Sequence, residues 1–260
     1  MEVIILPGPE EVGRYGADRI AALVGRNPRA VLGLATGSSP TGIYAELARR
    51  VAAGTLDLSG VSGFALDEYV GIPADHPESY AAVLDREVVR PLRLDPARVR
   101  VPDGRAADLE AAAAAYDDAI AAAGGVDLQL LGIGANGHIG FNEPTSSFAS
   151  RTRIKTLAPR TRTDNARFFA SPAEVPTHCL TQGLGTILEA RELLLVAQGQ
   201  GKAEAVAAAV EGPLSSMCPA SALQLHRRAS VVVDEAAASR LRLADYYRFT
   251  HEHKPVWQRP

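Results

Sequence analysis

The chain has 260 residues, of which 47% are hydrophobic and 22% are charged, a composition typical of a globular protein with an ordinary core. Its net charge of −3 provides no basic surface, so neither nucleic acid nor a membrane is an expected partner. The two cysteines, Cys179 and Cys218, lie far apart and argue against a disulfide framework. The first apolar run is too short for a signal peptide or a membrane span, and we predict a soluble, cytoplasmic protein.

Short apolar runs alternate with amphipathic segments along most of the chain. The apolar runs predict strands at residues 3–6, 30–35, 62–66, 126–131, 192–197 and 230–233. The amphipathic segments predict helices at residues 10–24, 41–53, 77–89, 106–123 and 202–210. Because this alternation implies βαβ crossovers, we predict an α/β fold in one domain, residues 1–260. Its single doubly wound, mainly parallel sheet would have helices on both faces, as in Rossmann-like proteins.

Small polar residues follow the second predicted strand and precede a helix: Thr36, Gly37, Ser38 and Ser39. Backbone N–H groups and hydroxyls at the N-terminus of a helix favour an anion, so this turn is a candidate phosphate site. No Gly-Lys-Ser/Thr closes the turn, which argues against a nucleoside triphosphate. A plain N-capped turn would have similar residues and remains the alternative.

Two carboxylates, Asp67 and Glu68, follow the third predicted strand. Adjacent residues of a strand face opposite sides, so one carboxylate can face a crevice while the other turns away. Asp67 directly follows the strand and is the candidate base, whereas Glu68 is interpreted as structural.

The fourth predicted strand leads into a glycine-rich turn, and residues 130–144 read L-L-G-I-G-A-N-G-H-I-G-F-N-E-P. His138 can transfer protons near neutral pH, Glu143 can orient or protonate it, and Asn136 can hydrogen-bond either. Open α/β sheets place their chemistry at the carboxyl ends of strands, which favours an acid/base role over a polar loop with an isolated histidine.

Three glycines of this turn, Gly132, Gly134 and Gly137, also spell the dinucleotide fingerprint G-x-G-x-x-G. That fingerprint must open a helix and be followed by an acid about 20 residues later. Here the chain continues without apolar periodicity and soon reaches a proline. We therefore reject a nicotinamide or flavin site and expect no cofactor.

A polar, proline-bounded segment at residues 157–176 interrupts the pattern. Long irregular insertions in compact domains are typically functional lids or disordered segments. Its arginines, Arg160, Arg162 and Arg167, favour a lid over an anionic substrate. Lys202 begins the last predicted helix at the same sheet edge and is either a ligand of that anion or a solvated surface lysine.

The sequence contains no Cys/His cluster with metal-ligand spacing, and His251 and His253 lie in a proline-bearing tail where solvation is expected. No metal site is therefore predicted. The strand ends together supply an anion cradle, a base, a histidine system and cations. This combination predicts metal-free proton transfer on a small phosphorylated compound.

Several long motifs together resemble the glucosamine-6-phosphate deaminase family: A-T-G-S-S-P, L-D-E-Y-V-G-I-P, H-P-E-S-Y, G-I-G-A-N-G-H-I-G-F-N-E-P, S-R-T-R-I-K-T-L and A-V-E-G-P. The match runs from the first strand to about Tyr247. It implies conversion of glucosamine 6-phosphate and water into fructose 6-phosphate and ammonia, in amino sugar catabolism, by a cofactor-free enzyme classed as a hydrolase.

The resemblance also implies roles for individual residues. Asp67 matches the enolisation base and His138 the ring-opening acid/base, with Asn136 and Glu143 as its helpers. Some family members have Asp where this chain has Asn136, so the imidazolium would be less stabilised here. The phosphate contacts match Thr36, Gly37, Ser38, Ser39, Arg167 and Lys202.

Two other functions are weighed against this one. A 6-phosphogluconolactonase-like hydrolase shares the phosphate cradle and a G-x-x-G-H turn, but its pattern lacks the acid that Glu143 supplies here. A non-catalytic sugar-phosphate sensor normally carries an appended DNA-binding element or basic patch, for which this chain has no residues left over.

A second set of anion-binding residue types follows the catalytic turn: Ser146, Ser147, Arg153 and Lys155. In family members activated by N-acetylglucosamine 6-phosphate, matching residues line an allosteric pocket between subunits of a hexamer. The resemblance therefore implies a homo-oligomer, with a hexamer favoured, and this sugar phosphate as effector. Arg248, beside Tyr247, stands where those members have a tyrosine, which implies an altered pocket. Surface ion pairs of Arg153 and Lys155 are the alternative.

Overall fold

The computed structural model describes residues 1–73 and 75–255; residues 74 and 256–260, which the predicted domain includes, lie outside the described residues. The strands are β1 (Glu2–Leu6), β2 (Val31–Leu34), β3 (Ser62–Ala65), β4 (Asp67–Tyr69), β5 (Val99–Arg100), β6 (Leu128–Leu131), β7 (Arg153–Thr156), β8 (His178–Thr181), β9 (Glu192–Ala197) and β10 (Ala229–Asp234). The α-helices are α1 (Pro9–Arg26), α2 (Thr41–Ala52), α3 (Tyr80–Leu84), α4 (Arg90–Leu92), α5 (Leu109–Ala122), α6 (Pro159–Asn165), α7 (Leu184–Leu188), α8 (Ala203–Val210) and α9 (Ala244–Glu252). A π-helical turn spans Asp85–Val89, and short 3-10 helices span Pro96–Arg98, Ala166–Phe168, Pro172–Glu174, Gln200–Lys202 and Pro219–Leu225.

A seven-stranded sheet forms the centre of the fold, in the order β1-β10-β9-β6-β2-β3-β5. Every neighbouring pair in it is parallel. Strands β2, β6 and β10 are buried at every position, which explains why they read as short apolar runs rather than as alternating patterns. The predicted α/β fold with a doubly wound, mainly parallel sheet is confirmed.

The strand order reverses between β2 and β6, and this reversal fixes where a ligand can bind. From β2 the chain proceeds through β3 to β5 on one side, whereas β6, β9 and β10 lie on the other. In open parallel sheets, a crevice opens at the carboxyl ends of strands at such a switch point. The turns after β2, β3, β6 and β9 carry the candidate catalytic and phosphate-binding residues except Arg167, so the topology brings them to one edge.

A second, antiparallel sheet in the order β4-β8-β7 lies beside this edge and was not expected from the sequence. Its strands have three or four residues, too few to show a clear period of two. The Gln182 N–H donates to the Leu66 carbonyl at 2.7 Å and joins the two sheets. Asp67 is paired with Thr181 in this small sheet, so it opens a new strand instead of following the predicted one as a loop residue.

Local capping explains where two helices differ from their predicted bounds. The expected helix 77–89 begins only at Tyr80, because the Ser79 hydroxyl accepts a hydrogen bond from the Ala82 N–H at 3.1 Å. It then passes into the π-helical turn, since Pro91 has no N–H to offer the carbonyl four residues earlier. The expected helix 106–123 begins at Leu109, after Asp108 caps the Ala111 N–H at 2.9 Å.

The tail expected around His251 is instead helix α9, which packs against β1. Leu243 just before this helix and Tyr246 and Phe249 within it are exposed, so the sequence lacks a strong buried stripe there. Across residues 1–73 and 75–255, we find no helix with the length and apolar character needed to span a bilayer.

Candidate active site

A cavity of about 430 Å³ lies at the carboxyl edge of the parallel sheet. Eight of the ten predicted catalytic and phosphate-binding residues line it: Thr36, Gly37, Ser38, Ser39, Asp67, His138, Arg167 and Lys202. The remaining two, Asn136 and Glu143, contact His138 from outside the cavity wall. The structure therefore brings together residues that are separated by up to about 170 positions, as expected for a switch-point site.

The turn after β2, which the sequence predicts as a phosphate site, lines one end of the cavity. Gly37 has φ +84°, a left-handed conformation that favours glycine. The Ser38 carbonyl accepts a hydrogen bond from the Thr41 hydroxyl at 2.8 Å, and Gln198 holds the Ser39 carbonyl at 3.2 Å. Helix α2 begins directly after this turn, so the positive end of its dipole faces the cavity.

Two cations face the same cavity from different elements. The Lys202 ammonium donates to the Ile133 carbonyl at 2.7 Å, and the Arg167 guanidinium lies 4.7 Å from the centre of the Phe168 ring. Burial and the neighbouring Arg167 charge lower the pKa of Lys202, whereas Asp164 raises it. Within the described residues, neither cation forms a salt bridge with a carboxylate, so both can receive an anionic ligand.

Asp67 and Glu68 have different surroundings, because neighbouring residues of a strand face opposite sides. Asp67 lines the cavity but is only 6% exposed. Burial, and to a lesser extent the Glu68 charge, raise the pKa of Asp67 to about 8. Glu68 accepts backbone N–H groups of Tyr69, Tyr80 and Ala81 at 2.8–3.0 Å. These bonds fix the start of α3 to β4.

The glycine-rich turn after β6 holds His138 between Asn136 and Glu143. The Asn136 amide donates to Glu143 Oε2 at 2.7 Å, and its carbonyl oxygen accepts the His138 backbone N–H at 3.2 Å. His138 Nδ1 lies 3.7 Å from Glu143 Oε2, an ion-pair distance that is longer than a hydrogen bond. Catalytic contacts of this kind are often long in a free enzyme and shorten when substrate binds.

Glu143 is a buried carboxylate that remains ionised. Burial by itself would raise its pKa, but contacts with His138, Thr161 and Asn136 outweigh it and lower the pKa of Glu143 to about 2. Glu143 therefore presents a full negative charge to the imidazole across the neutral pH range.

Close packing explains one glycine of the turn. A Cβ atom at Gly134 would lie 2.2 Å from the His138 ring, so a side chain there would displace the histidine. The next element after this turn is β7, and no helix begins at the glycines. A dinucleotide fingerprint requires such a helix.

The segment 157–176 is mostly helical rather than irregular, and it forms one wall of the cavity. Only one of its three arginines, Arg167, lines the cavity. The Arg162 guanidinium donates to the Val175 carbonyl at 2.8 Å and braces the segment internally. Helical geometry explains this difference among the three arginines, because it turns successive residues to different sides of the segment.

Five aromatic residues of the cavity wall were not predicted: Tyr69, Tyr80, Phe141, Phe168 and Phe169. Tyr69 stacks on Tyr80 with ring centroids 4.9 Å apart and contacts the Phe141 and Phe169 rings at 5.8 and 5.7 Å. Burial raises the pKa of Tyr69 to about 12. Three of the quoted motifs contain Tyr69, Tyr80 and Phe141, but no role in a cavity wall was predicted for these rings.

Two of the four residues assigned to an effector site, Ser146 and Arg153, contact the end of the glycine-rich turn. The buried Ser146 hydroxyl donates to the Glu143 carbonyl at 2.7 Å, whereas the Ser147 hydroxyl accepts the Ala149 N–H at 3.2 Å. Arg153 donates to the Asn142 side chain at 2.9 Å, and Lys155 lies two residues further along β7, on the same side. In the part of the chain that the structure covers, neither Arg153 nor Lys155 forms a salt bridge.

Arg248, where the family resemblance implies a tyrosine in other members, forms salt bridges with its own chain. Arg248 pairs with Glu235 at 2.6 Å and with Asp245 at 3.2 Å. Tyr247 lies near Glu211 and packs against the main core. Arg248 is thus bound to carboxylates of its own chain.

Comparison with known proteins identifies one family over most of the chain. The model of glucosamine-6-phosphate isomerases/6-phosphogluconolactonase matches residues 9–233. A glucosamine-6-phosphate deaminase of Pseudarthrobacter chlorophenolicus is 61% identical over 258 residues, 99% of each chain. The protein of the same name from Streptomyces coelicolor is 60% identical over 259 residues, again 99% of each chain.

Solved structures are also similar to this chain. A monomeric glucosamine-6-phosphate deaminase superposes with a TM-score of 0.90 at 42% identity, covering 92% of this chain and 100% of the other. The 6-phosphogluconolactonase of Trypanosoma brucei superposes with a TM-score of 0.73 at 19% identity, covering 92% and 98%. At that identity, the second likeness concerns the fold alone.

These relatives correct the enzyme class expected from the sequence. The hydrolase assignment is wrong, since the similar proteins are named as deaminases and the amino sugar branch of the matching family as isomerases. The matched residues include every turn that lines the cavity. The chain belongs to the family of glucosamine-6-phosphate isomerases and 6-phosphogluconolactonases.

Proposed function

We propose that this protein converts glucosamine 6-phosphate and water into fructose 6-phosphate and ammonia. The observation that carries the proposal is the single cavity that contains a buried carboxyl, Asp67, a histidine paired with a carboxylate, and two cations. Relatives 60–61% identical over nearly the whole chain are named for this activity. Residues 1–260 act as one catalytic unit, with residues 157–176 as its lid.

Ring opening is the first step, because a cyclic amino sugar has no carbonyl to acidify the proton on C2. His138 moves a proton from the O1 hydroxyl to the ring oxygen O5, so the C1–O5 bond breaks and an aldehyde forms at C1. The Glu143 charge, 3.7 Å from Nδ1, stabilises the imidazolium that exists during this transfer. Asn136 supplies orientation through two hydrogen bonds but no charge.

Proton transfer between carbons follows on the open chain. Asp67 removes the C2 proton while the substrate's ammonium group gives one proton to O1, and the product is an enolamine. Asp67 then returns its proton to C1, which leaves a protonated imine at C2. Water then adds at C2 and ammonia leaves, so that C2 becomes the ketone. A carboxylate with a pKa near 8 is a stronger base than an ordinary aspartate, which suits it to a carbon acid. A bound cationic amine would lower this pKa and keep Asp67 ionised at neutral pH.

The phosphate holds the flexible open chain in place while these steps occur. The cradle at residues 36–39, Arg167 and Lys202 bind it at one end of the cavity. Restricting the chain in this way supplies part of the rate acceleration, because the reacting carbons stay near Asp67.

Removing either phosphate-binding cation is expected to raise KM strongly. Arg167→Ala and Lys202→Ala each remove a charge-assisted contact worth about 1.5–3 kcal/mol, or about 10- to 150-fold in KM. Arg160→Ala is the matched control, since this exposed arginine of the same segment does not line the cavity. Steady-state kinetics with glucosamine 6-phosphate and with unphosphorylated glucosamine measure the effect. An unchanged KM for the phosphorylated sugar would remove that residue from the site.

The choice of substrate distinguishes the proposed deaminase activity from the alternative lactonase activity. The acid absent from the lactonase pattern is present here as Glu143, in contact with His138. We expect ammonia from glucosamine 6-phosphate and no acceleration of 6-phosphogluconolactone hydrolysis. Lactone hydrolysis without ammonia release would overturn the proposed function, and tight sugar-phosphate binding without either reaction would indicate a sensor.

A regulatory site around Ser146, Ser147, Arg153 and Lys155 is a further part of the proposal. We expect a homo-oligomer, with a hexamer favoured, whose apparent affinity for substrate rises with N-acetylglucosamine 6-phosphate. Such an effector must bind one conformational state better, typically by about 1–3 kcal/mol, or 5- to 150-fold in affinity. Saturation curves with and without effector measure this in the wild type, and Lys155→Ala should remove the shift. Superimposable wild-type curves with and without effector would refute the regulatory site. Light scattering measures the oligomeric state of this protein, and one similar deaminase of known structure is described as monomeric.

A further inference from the structure

The two carboxylate oxygens of Glu143 face different elements. Oε2 faces the catalytic turn, where it accepts the Asn136 amide at 2.7 Å and lies 3.7 Å from His138 Nδ1. Oε1 faces the wall segment, where it accepts the Thr161 hydroxyl and the Ala158 backbone N–H, the latter at 3.2 Å. Glu143 therefore bridges the histidine and helix α6.

Thr161 is a buried residue in the first turn of α6, and its hydroxyl is oriented by a charged acceptor. The same helix and the 3-10 turn that continues it carry two other groups of the cavity. Asn165 donates to the Tyr69 hydroxyl at 3.0 Å, and Arg167 lines the same cavity as residues 36–39. One continuous helical segment thus contacts the histidine's carboxylate and the aromatic wall, and it carries a cation that lines the cavity.

We infer that Thr161 is a positioning residue, which fixes Glu143 towards His138 and makes ring opening depend on the placement of α6. This inference rests on the proposed function. A glutamate side chain rotates about several bonds, and donors on both oxygens hold its carboxylate in one orientation. If α6 moves away, Oε1 loses two donors inside a buried site, and the carboxylate no longer keeps this orientation at low cost.

The arrangement links substrate binding to acid/base chemistry. A phosphate bound to Arg167 holds the end of the segment against the cavity, and the start of α6 then keeps Thr161 on Glu143. His138 is supported by a fixed charge when the sugar phosphate is in place. A lid that is open would leave the histidine with a poorly oriented partner.

Three substitutions on one helix test this inference. Thr161→Val keeps the shape of the side chain and removes the donor, so kcat with cyclic glucosamine 6-phosphate should fall about 10- to 100-fold. KM should change little, because Thr161 does not bind the phosphate. Thr161→Ser restores the hydroxyl and should restore most of kcat. Thr163→Val is the matched control, since the exposed Thr163 hydroxyl donates to the Pro159 carbonyl at 3.0 Å on the same helix.

Two kinetic outcomes would overturn the positioning role. An unchanged kcat in Thr161→Val would show that the hydrogen bond to Glu143 does not matter for turnover. A loss of kcat that Thr161→Ser fails to rescue would assign the effect to packing of the methyl group.

Amide hydrogen exchange in residues 159–165 provides a readout that needs no turnover. If the Thr161–Glu143 contact holds α6 in place, Thr161→Val and Glu143→Gln should both speed exchange there, whereas Thr163→Val should not. If exchange is faster in these two variants but the wild type releases no ammonia, the contact is retained and the proposed function is refuted. Unchanged exchange in an enzyme that does release ammonia would refute the inference alone.

Discussion

Asp67→Asn is expected to abolish turnover of glucosamine 6-phosphate while the sugar phosphate still binds. Asp67 is the carboxyl that faces the cavity from the carboxyl end of the sheet, and its neighbour Glu68 is occupied by three backbone N–H groups. Asparagine has nearly the same shape but cannot accept the C2 proton. Removing a general base costs about 10²- to 10⁴-fold in rate. Exchange of the C2 proton with solvent deuterium, followed by NMR, measures the step itself, and calorimetry measures binding.

The same variant tests the environment of Asp67 through the pH dependence of stability. The pKa of Asp67 rises on folding from 3.8 to about 8, so the folded protein holds this proton more tightly than the unfolded chain. The free energy of unfolding therefore falls as pH rises from about 4 to about 8, and the full cost remains above that range. Asp67→Asn removes this cost, so its Tm should exceed that of the wild type by a margin that grows across the same range.

Because of Asp67, activity should rise with pH while the free energy of unfolding falls. The base must be ionised, so kcat/KM of the wild type should rise with pH towards about 8. Each kcal/mol gained by the variant corresponds to about 2–4 °C in Tm for a domain of this size. C2 exchange at the wild-type rate in Asp67→Asn would refute its role as the base. A Tm difference that is independent of pH would refute the raised pKa.

Glu143→Gln is expected to slow turnover of the cyclic substrate by about 10²- to 10⁴-fold. Glutamine keeps the size of the side chain but removes the charge that faces His138 at 3.7 Å. The small fraction of substrate that is already open should still react at Asp67, so a residual rate should remain. Steady-state kinetics on Glu143→Gln, on a His138→Gln variant and on the double variant measure this effect.

The pattern among these variants distinguishes ring opening from a general loss of structure. Residues that act as one unit are not additive, so the double variant should be no slower than the His138→Gln variant. The residual rate should increase when the open-chain fraction of substrate is increased. If Glu143→Gln is as fast as the wild type, Glu143 belongs to the scaffold and the ring-opening assignment fails.

Local patterns in the sequence predict the parallel sheet and much of the candidate site. Buried strands such as β2 and β10 read directly as apolar runs, because both of their faces are covered. Asp67 and His138 could be assigned to one cavity from their positions after strands, because parallel strands end at a common edge. Glu68 could be set aside for the same reason, since neighbouring strand residues face opposite sides.

The parts that could not be predicted depend on contacts between distant residues. The pairing of Asp67 with Thr181 and the hydrogen bond from Thr161 to Glu143 join segments with no shared periodicity. Local patterns do not distinguish Arg167 from Arg162, because their segment is polar and has no buried stripe, and only the family resemblance pointed to Arg167. The assignment as a hydrolase was wrong for a different reason. The site residues indicate which protons are transferred, but they do not indicate how the reaction is classified.

The most direct test of the proposed reaction is product analysis with purified protein and glucosamine 6-phosphate. Ammonia and fructose 6-phosphate are quantified in the same samples for the wild type and for Asp67→Asn. We expect equimolar amounts of the two products from the wild type and neither product from the variant. A wild type that releases no ammonia, or a variant that forms both products at the wild-type rate, would contradict the mechanism proposed for this cavity.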